Sequence, residues 1–153
     1  MMLELHNVTL GQLVCPLSVT LHEGQLLCIT GQKGSGKTTL LRALLGFIPV
    51  DGGHISIDGE LMTPLSASYF RRQTAYVPQH ISLPEGCNLP TDYLQLLTKA
   101  VQAHKQLLIV DEPPKPLDDA AKQTVDDLLQ AALKEGAVVV AVNSRITQNQ
   151  IQL

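Results

Sequence analysis

Continuous runs of apolar residues, separated by glycine-rich and polar segments, dominate the pattern of this sequence. Residues 26–29, 107–110 and 137–142 are apolar throughout, which is typical of strands buried on both faces of a parallel sheet. Residues 17–21 alternate apolar and polar side chains, as a half-buried strand does, and residues 3–8 indicate an opening strand. The pattern predicts a mainly parallel sheet and an antiparallel β portion near the N-terminus.

Helical spacing of apolar residues occurs between these strands. The first two predicted helices cover residues 37–45 and 66–73. A third helix is predicted to begin after Thr91 as its N-cap, and a fourth to begin after Asp118 or Asp119 and to run to about residue 134. The positions expected to face the core are Leu94, Leu97 and Val101 in the third helix and Val125, Leu128, Leu129 and Ala132 in the fourth. Residues 54–57 with the Asp58-Gly59 turn predict a hairpin, and residues 75–77 a short strand. Strand–helix alternation of this kind predicts an α/β fold.

Length and composition exclude several classes of protein. A chain of 153 residues fits a single domain spanning residues 1–153. The net charge of −3 and the aromatic content of 3% give neither the basic surface nor the stacking platforms of a nucleic-acid binder. No apolar run approaches the roughly 20 residues of a membrane span, and the N-terminus does not have the pattern of a signal peptide. We therefore expect a cytoplasmic protein without membrane insertion.

The segment Gly-Gln-Lys-Gly-Ser-Gly-Lys-Thr matches the phosphate-binding pattern G-x-x-x-x-G-K-[ST]. It follows a buried strand and precedes an amphipathic helix, the context in which successive backbone N–H groups and the helix dipole form an anion site. Lys37 is expected to reach the β- and γ-phosphates, and Thr38 to bind Mg²⁺. The candidate nucleotide-binding residues are Gly31, Gln32, Lys33, Gly34, Ser35, Gly36, Lys37, Thr38 and Thr39.

An acidic pair follows the apolar run 107–110. Asp111 is expected to hold Mg²⁺ beside the phosphates, directly or through water. Glu112 is placed to orient or deprotonate an attacking water. In a chain that also has the phosphate loop, this acidic pair indicates nucleotide hydrolysis. The two motifs together predict that the α/β fold has a P-loop NTPase core.

These segments resemble the nucleotide-binding domain of ABC transporters and related ABC ATPases. The resemblance covers roughly residues 2–143 and rests on the opening strand, the phosphate loop and its helix, the Asp-Gly-Gly-His-Ile turn at 51–55, Tyr-Val-Pro-Gln at 76–79 and Asp-Glu-Pro at 111–113. It implies that Gln79 is the Q-loop glutamine. The candidate catalytic residues are then Lys37, Gln79 and Glu112, and the candidate metal-binding residues are Thr38, Gln79 and Asp111. It also implies that Leu117-Asp118 corresponds to the D-loop, with Lys115-Pro116 replacing its usual small residues.

The sequence departs from the family pattern in ways that affect the expected activity. Only 27 residues separate Gln79 from Leu107, where the family inserts a helical subdomain that carries most of the permease-docking surface. Residues 87–91, Cys-Asn-Leu-Pro-Thr, stand where the family has Leu-Ser-Gly-Gly-Gln. Asn143 or Ser144 stands in place of the switch histidine. The position at which the family has an aromatic residue that stacks on adenine falls near Leu10 in this sequence, so base recognition is expected to be weaker.

The leading hypothesis is an ABC-type ATPase core that binds Mg·ATP and hydrolyses it slowly. The alternative is a non-hydrolysing, nucleotide-dependent binding module. A P-loop kinase for a small molecule fits less well, because such kinases usually have a basic lid and the sequence has no arginine cluster beyond Arg71-Arg72. The expected ligands are ATP and Mg²⁺. The family resemblance implies two partners: a second copy of this chain in a homodimer, and a membrane permease. Binding to the permease would hold the protein at the inner face of the membrane.

Overall fold

The computed structural model describes residues 1–11, 15–79, 92–146 and 148–153. Its strands are β1 (Leu3–Thr9), β2 (Leu17–Leu21), β3 (Leu26–Thr30), β4 (Gly52–Ile57), β5 (Glu60–Leu61), β6 (Thr74–Val77), β7 (Leu107–Val110), β8 (Val138–Val142) and β9 (Asn149–Gln152). Its helices are α1 (Lys37–Leu44), α2 (Ala67–Arg72), α3 (Tyr93–Gln102) and α4 (Asp119–Lys134).

A parallel sheet with the strand order β6-β7-β8-β3-β9 forms the centre of the fold. The side chains of β7 and β8 are buried throughout, as are the first four residues of β3, which confirms the prediction from their apolar runs. Strand β9 was not predicted. Its sequence Asn-Gln-Ile-Gln has a single apolar residue, so its place beside β3 follows from backbone pairing and not from a hydrophobic pattern.

The antiparallel sheet has the order β2-β1-β4-β5. Leu3 and Leu5 lie opposite Ile57 and Ile55, and all of these side chains are buried, because alternate residues of a strand point to the same face. The predicted hairpin is formed by β4 and β5 around Asp58-Gly59. The antiparallel β portion near the N-terminus is therefore confirmed.

The helices begin at defined caps. The carboxylate of Asp118 accepts a hydrogen bond from the Ala121 amide at 2.7 Å, so the prediction of a cap at 118 or 119 is confirmed. The predicted cap Thr91 lies outside the described residues; the observed N-cap of α3 is Asp92, whose carboxylate accepts hydrogen bonds from the amides of Leu94 and Gln95 at 2.8 and 3.3 Å. A carboxylate in this position also complements the positive end of the helix dipole.

Two apolar clusters lie on opposite faces of the parallel sheet. One joins α1 and the antiparallel sheet to Leu27 and Ile29, and the other joins α3 and α4 to Leu26 and Cys28. Cys28 has no exposed surface, and burial raises the pKa of its thiol. Among the residues that the structure describes, no helix has the length and apolar character needed to cross a membrane.

Candidate functional site

A pocket of about 840 Å³ opens at the carboxyl ends of β3 and β7, the edge of a parallel sheet where ligands commonly bind. Its walls are formed by residues from the phosphate loop, the start of α1 and the segment after β7. The lining residues are Leu10, Gly11, Lys33, Gly34, Ser35, Gly36, Lys37, Thr38, Thr39, Ile48, Pro49, Asp51, Gln79, Glu112, Pro113, Pro114, Lys115 and Pro116.

The loop at residues 31–36 connects β3 to α1, and it needs glycine at more than one position. Gly34 and Gly36 have φ angles of +82° and +98°, which side chains rarely adopt. A Cβ atom on Gly31 would collide with the Ser35 side chain and would lie 3.0 Å from the Leu153 carbonyl oxygen. A side chain at position 31 would therefore force the Ser35 side chain and the Leu153 backbone to move.

The Lys37 ammonium is held inside this loop. Its Nζ donates to the carbonyl oxygens of Gly31 and Gln32 at 2.8 and 2.7 Å, and the residue is 6% exposed. Because an ammonium group has three N–H donors, one remains for another acceptor. Gly31 and Gln32, which the sequence placed in the nucleotide set, thus contribute through their carbonyl groups and do not line the pocket wall.

The Ser35 hydroxyl is a buried polar group with no hydrogen-bond partner among the described residues. A buried hydroxyl without a partner costs about 1–3 kcal/mol, so such groups are uncommon unless a ligand satisfies them. Ser35 lies in the same loop whose carbonyl groups hold the Lys37 ammonium, and both residues line the pocket, so its hydroxyl is a candidate donor to a phosphate oxygen. The residues present are therefore compatible with a nucleotide phosphate chain.

Asp111 and Thr38 are in contact although 73 residues separate them in the sequence. The Thr38 hydroxyl donates to Asp111 Oδ2 at 2.9 Å, and the Glu112 amide donates to Asp111 Oδ1 at 2.8 Å. Asp111 is only 1% exposed. A carboxylate and a hydroxyl are the oxygen ligands that suit Mg²⁺, which keeps waters and substrate phosphates as its other ligands. Among the described residues, no group of three or more His, Cys, Asp and Glu is arranged to hold a metal ion.

Glu112 and Asn143 meet at the edge of the pocket. The Asn143 side-chain amide donates to Glu112 Oε2 at 2.9 Å, and the Asn143 backbone amide donates to the Ile29 carbonyl at 2.8 Å. Asn143 has a φ of +51°, a left-handed conformation that asparagine tolerates better than most residues. Gln79 lines the same pocket, so the predicted catalytic residues lie around one cavity.

The remaining walls differ in character. Pro113, Pro114 and Pro116 surround Lys115 on the side of Glu112, and proline fixes the φ angle of each of these three positions. The lining also includes the apolar residues Leu10, Ile48 and Pro49. The substitute for the family's signature segment, residues 87–91, lies outside the described residues.

Tyr93, which no sequence motif indicated, reaches this site from α3. Its hydroxyl donates to the Asp111 carbonyl oxygen at 2.5 Å. Burial, and then the Asp111 and Glu112 carboxylates, raise the pKa of Tyr93, so the hydroxyl keeps the proton that it donates. An aromatic residue at the start of an amphipathic helix looks like a core residue in the sequence, and no local signal indicated this contact.

A phosphate loop between a buried strand and a helix, with a buried aspartate at the end of a neighbouring strand, defines the P-loop class of folds. A family model described as ABC transporter matches residues 14–90, which is just over half of the chain. The chain belongs to the ABC transporter family, as the resemblance in its sequence implied.

Individual relatives agree with this assignment. The chain is 40% identical over 83 residues to an ABC transporter ATP-binding protein of Haemophilus influenzae, a match that covers 52% of this chain and 32% of the relative. It is 27% identical over 161 residues to the cytochrome c biogenesis ATP-binding export protein CcmA of Brucella abortus, covering 82% and 75% of the two chains. The chain thus spans about a third of the first relative and about three quarters of the second.

A solved structure extends the comparison to the whole fold. An ABC transporter ATP-binding protein from Pyrococcus furiosus matches with a TM-score of 0.75 and 16% sequence identity, and the match covers 100% of this chain and 98% of that one. At this level of identity the likeness concerns the fold alone, and it confirms the α/β P-loop architecture predicted from the sequence.

Proposed function

We propose that this chain binds ATP with Mg²⁺ in the 840 Å³ pocket. The observation that carries the proposal is the contact between the Thr38 hydroxyl and Asp111 Oδ2. It brings together the two candidate metal-binding side chains, which come from distant segments. The adjoining loop contains the buried Ser35 hydroxyl, which has no hydrogen-bond partner among the described residues. The site therefore offers oxygen ligands for the metal next to donors for the phosphates.

The site residues divide between the phosphates, the metal and the base in this proposal. The loop amides from Gly34 onward and the Ser35 hydroxyl bind phosphate oxygens, and Lys37 contributes its remaining N–H. Thr38 and Asp111 hold the metal, with Gln79 at the same pocket. Mg²⁺ in such a site neutralises charge that develops on the phosphates during transfer. Leu10 and its apolar neighbours are placed to contact the base.

We further propose that hydrolysis is slow. Glu112 is placed to orient an attacking water, and Asn143 holds its carboxylate in position through the 2.9 Å hydrogen bond. An asparagine amide donates hydrogen bonds but does not titrate near neutral pH as an imidazole does. The site therefore has a general base and electrostatic stabilisation but has no titrating partner for Glu112 at the position of Asn143.

The partner proposal rests on the relatives. The Brucella relative is named as an export protein, and a Vibrio atlanticus relative, 25% identical, as a vitamin B12 import protein. We propose that this chain works with a membrane permease on the cytoplasmic side and forms a homodimer when it binds ATP.

Phosphate release from Mg·ATP, measured across a range of protein concentrations, tests these proposals. Wild type is compared with Glu112→Gln, which keeps the shape of the base and removes its charge, and with Lys37→Ala. Turnover that both substitutions abolish supports the ATPase, and a quadratic dependence on protein concentration supports the dimer. ATP binding that Lys37→Ala removes, without phosphate release by the wild type, would instead identify a non-hydrolysing nucleotide-dependent module.

A further inference from the structure

Tyr93 connects α3 to the acidic pair. Its ring lies in the apolar cluster with Leu97, Leu108 and Val110, and the residue is 8% exposed. A phenylalanine would fill this space equally well, because packing of the ring does not need the hydroxyl. A buried tyrosine hydroxyl needs a hydrogen-bond acceptor, and here the acceptor is the Asp111 carbonyl oxygen at 2.5 Å.

This carbonyl belongs to the peptide group that joins Asp111 to Glu112. The N–H of the same peptide group donates to Asp111 Oδ1 at 2.8 Å. Because a peptide group is planar, a hydrogen bond that fixes its oxygen also fixes the direction of its N–H. The Tyr93 hydroxyl therefore determines how the amide of Glu112 meets the Asp111 carboxylate.

The other contacts of Asp111 complete the arrangement. Its backbone amide donates to the Val77 carbonyl at 2.9 Å, which extends the pairing of β7 with β6 by one residue. Its Oδ2 accepts from the Thr38 hydroxyl at 2.9 Å. The Asp111 carbonyl lies beyond the last paired residue of β7, and Tyr93 supplies the donor for it there.

We propose that Tyr93 is a positioning residue whose hydroxyl orients the Asp111 carboxylate for the metal ion that accompanies ATP. This inference rests on the proposed function. It links α3 to the metal site through one hydrogen bond, so that a displacement of α3 changes the orientation of Asp111 without touching the phosphate loop. Partners of metal-binding side chains typically change metal affinity by about 10–100-fold when they are removed.

The test uses Tyr93→Phe in the full chain and measures the ATP dissociation constant in the presence of Mg²⁺ and in the presence of EDTA. The ratio of the two constants reports how much Mg²⁺ strengthens ATP binding. We expect Tyr93→Phe to reduce this ratio about tenfold while the constant in EDTA stays within about twofold of wild type, since the phosphate loop is unchanged. Tyr93→Leu, a second variant without the hydroxyl, is expected to give the same selective loss.

Tyr76→Phe is the matched control. Tyr76 lies on β6, is half-buried and is close enough to Asp111 for the carboxylate to help raise its pKa, after burial itself. Removing its hydroxyl is expected to leave both dissociation constants unchanged. Thermal unfolding of all variants establishes that they are folded at the assay temperature.

The outcomes are distinguishable. An unchanged ratio in Tyr93→Phe, or an equal loss of affinity with Mg²⁺ and with EDTA, overturns the positioning role. A tenfold loss in Tyr76→Phe as well would overturn it too, because the effect would then not be specific to the Tyr93 hydroxyl. Failure of the proposed function looks different: wild type and Lys37→Ala would bind ATP equally weakly in both conditions, and this result would overturn both proposals.

Discussion

The Asn143 side chain donates a 2.9 Å hydrogen bond to Glu112 Oε2, and its own backbone is bonded to the end of β3, from which the phosphate loop departs. The candidate base is thus held by a residue that is fixed to the strand carrying the loop. Asn143 adopts a left-handed φ of +51°, so the conformation that aims its amide at Glu112 is one that glycine also adopts without strain.

Asn143→Gly removes the amide donor and keeps the backbone conformation. If the chain hydrolyses ATP, we expect phosphate release to fall about tenfold, because a freed Glu112 orients water less well, while ATP affinity changes less than about twofold. Asn143→Asp should reduce the rate further, since a second carboxylate repels Glu112. Steady-state rates and dissociation constants of both variants check this. Unchanged rates in both would contradict a positioning role for Asn143.

Ser35→Ala is expected to change stability and binding in opposite directions. The Ser35 hydroxyl is buried without a partner in the described part of the chain, so its removal should raise the free energy of unfolding of the nucleotide-free protein by about 1 kcal/mol. The same variant should bind Mg·ATP more weakly, because a phosphate donor is lost. Urea unfolding and calorimetric binding measure the two effects. A destabilised variant would show that the hydroxyl serves the fold and not the ligand.

Leu97→Ala tests how firmly α3 is packed. Leu97 has no exposed surface, and truncation of a buried leucine costs about 2–5 kcal/mol. Leu65→Ala makes the same chemical change at a residue that is 94% exposed, and it should change the free energy of unfolding by less than about 0.5 kcal/mol. Equal effects of the two substitutions in urea unfolding would mean that α3 does not belong to the folded core.

The buried Cys28 thiol predicts a dependence of stability on alkaline pH. Its pKa in the folded chain is raised above the ordinary 9.0 by burial. Well below pH 9 the thiol is protonated in both the folded and the unfolded chain. Above pH 9 the unfolded chain loses this proton while the folded chain still keeps it, so the free energy of unfolding falls as the pH rises, by at most about 1.4 kcal/mol per pH unit. Cys28→Ala should flatten this decline in urea unfolding above pH 9. The same slope in the variant would contradict the assignment to Cys28.

The elements predicted from the sequence are those whose signals are local. The runs that form β3, β7 and β8, and the loop between Gly31 and Thr38, carry their own patterns, because burial on both faces and a phosphate cradle each demand particular residues within a few positions. Strand β9 carries no such pattern, since Ile151 is its only apolar residue. Its pairing with β3 depends on a neighbour that lies far away in the sequence.

The candidate site residues that belong to sequence motifs could be named from the sequence. The contacts between them could not be predicted, because Thr38 and Asp111 are 73 residues apart, and Asn143 and Glu112 are 31 residues apart. Tyr93 lies 18 residues from Asp111 and meets it only because α3 packs against the end of β7. Such contacts follow from the arrangement of elements in space, which short sequence patterns do not encode.

The proline-rich wall beside Glu112 has a consequence for the thermodynamics of ligand binding. Pro113, Pro114 and Pro116 restrict the backbone of this segment before any ligand arrives, so little conformational entropy remains to be lost there on binding. Lys115 is the only residue between Pro113 and Pro116 that is not a proline, and its side chain is presented from a stiff backbone. Association at this wall should therefore have a smaller entropic penalty than association at a glycine-rich wall of the same length.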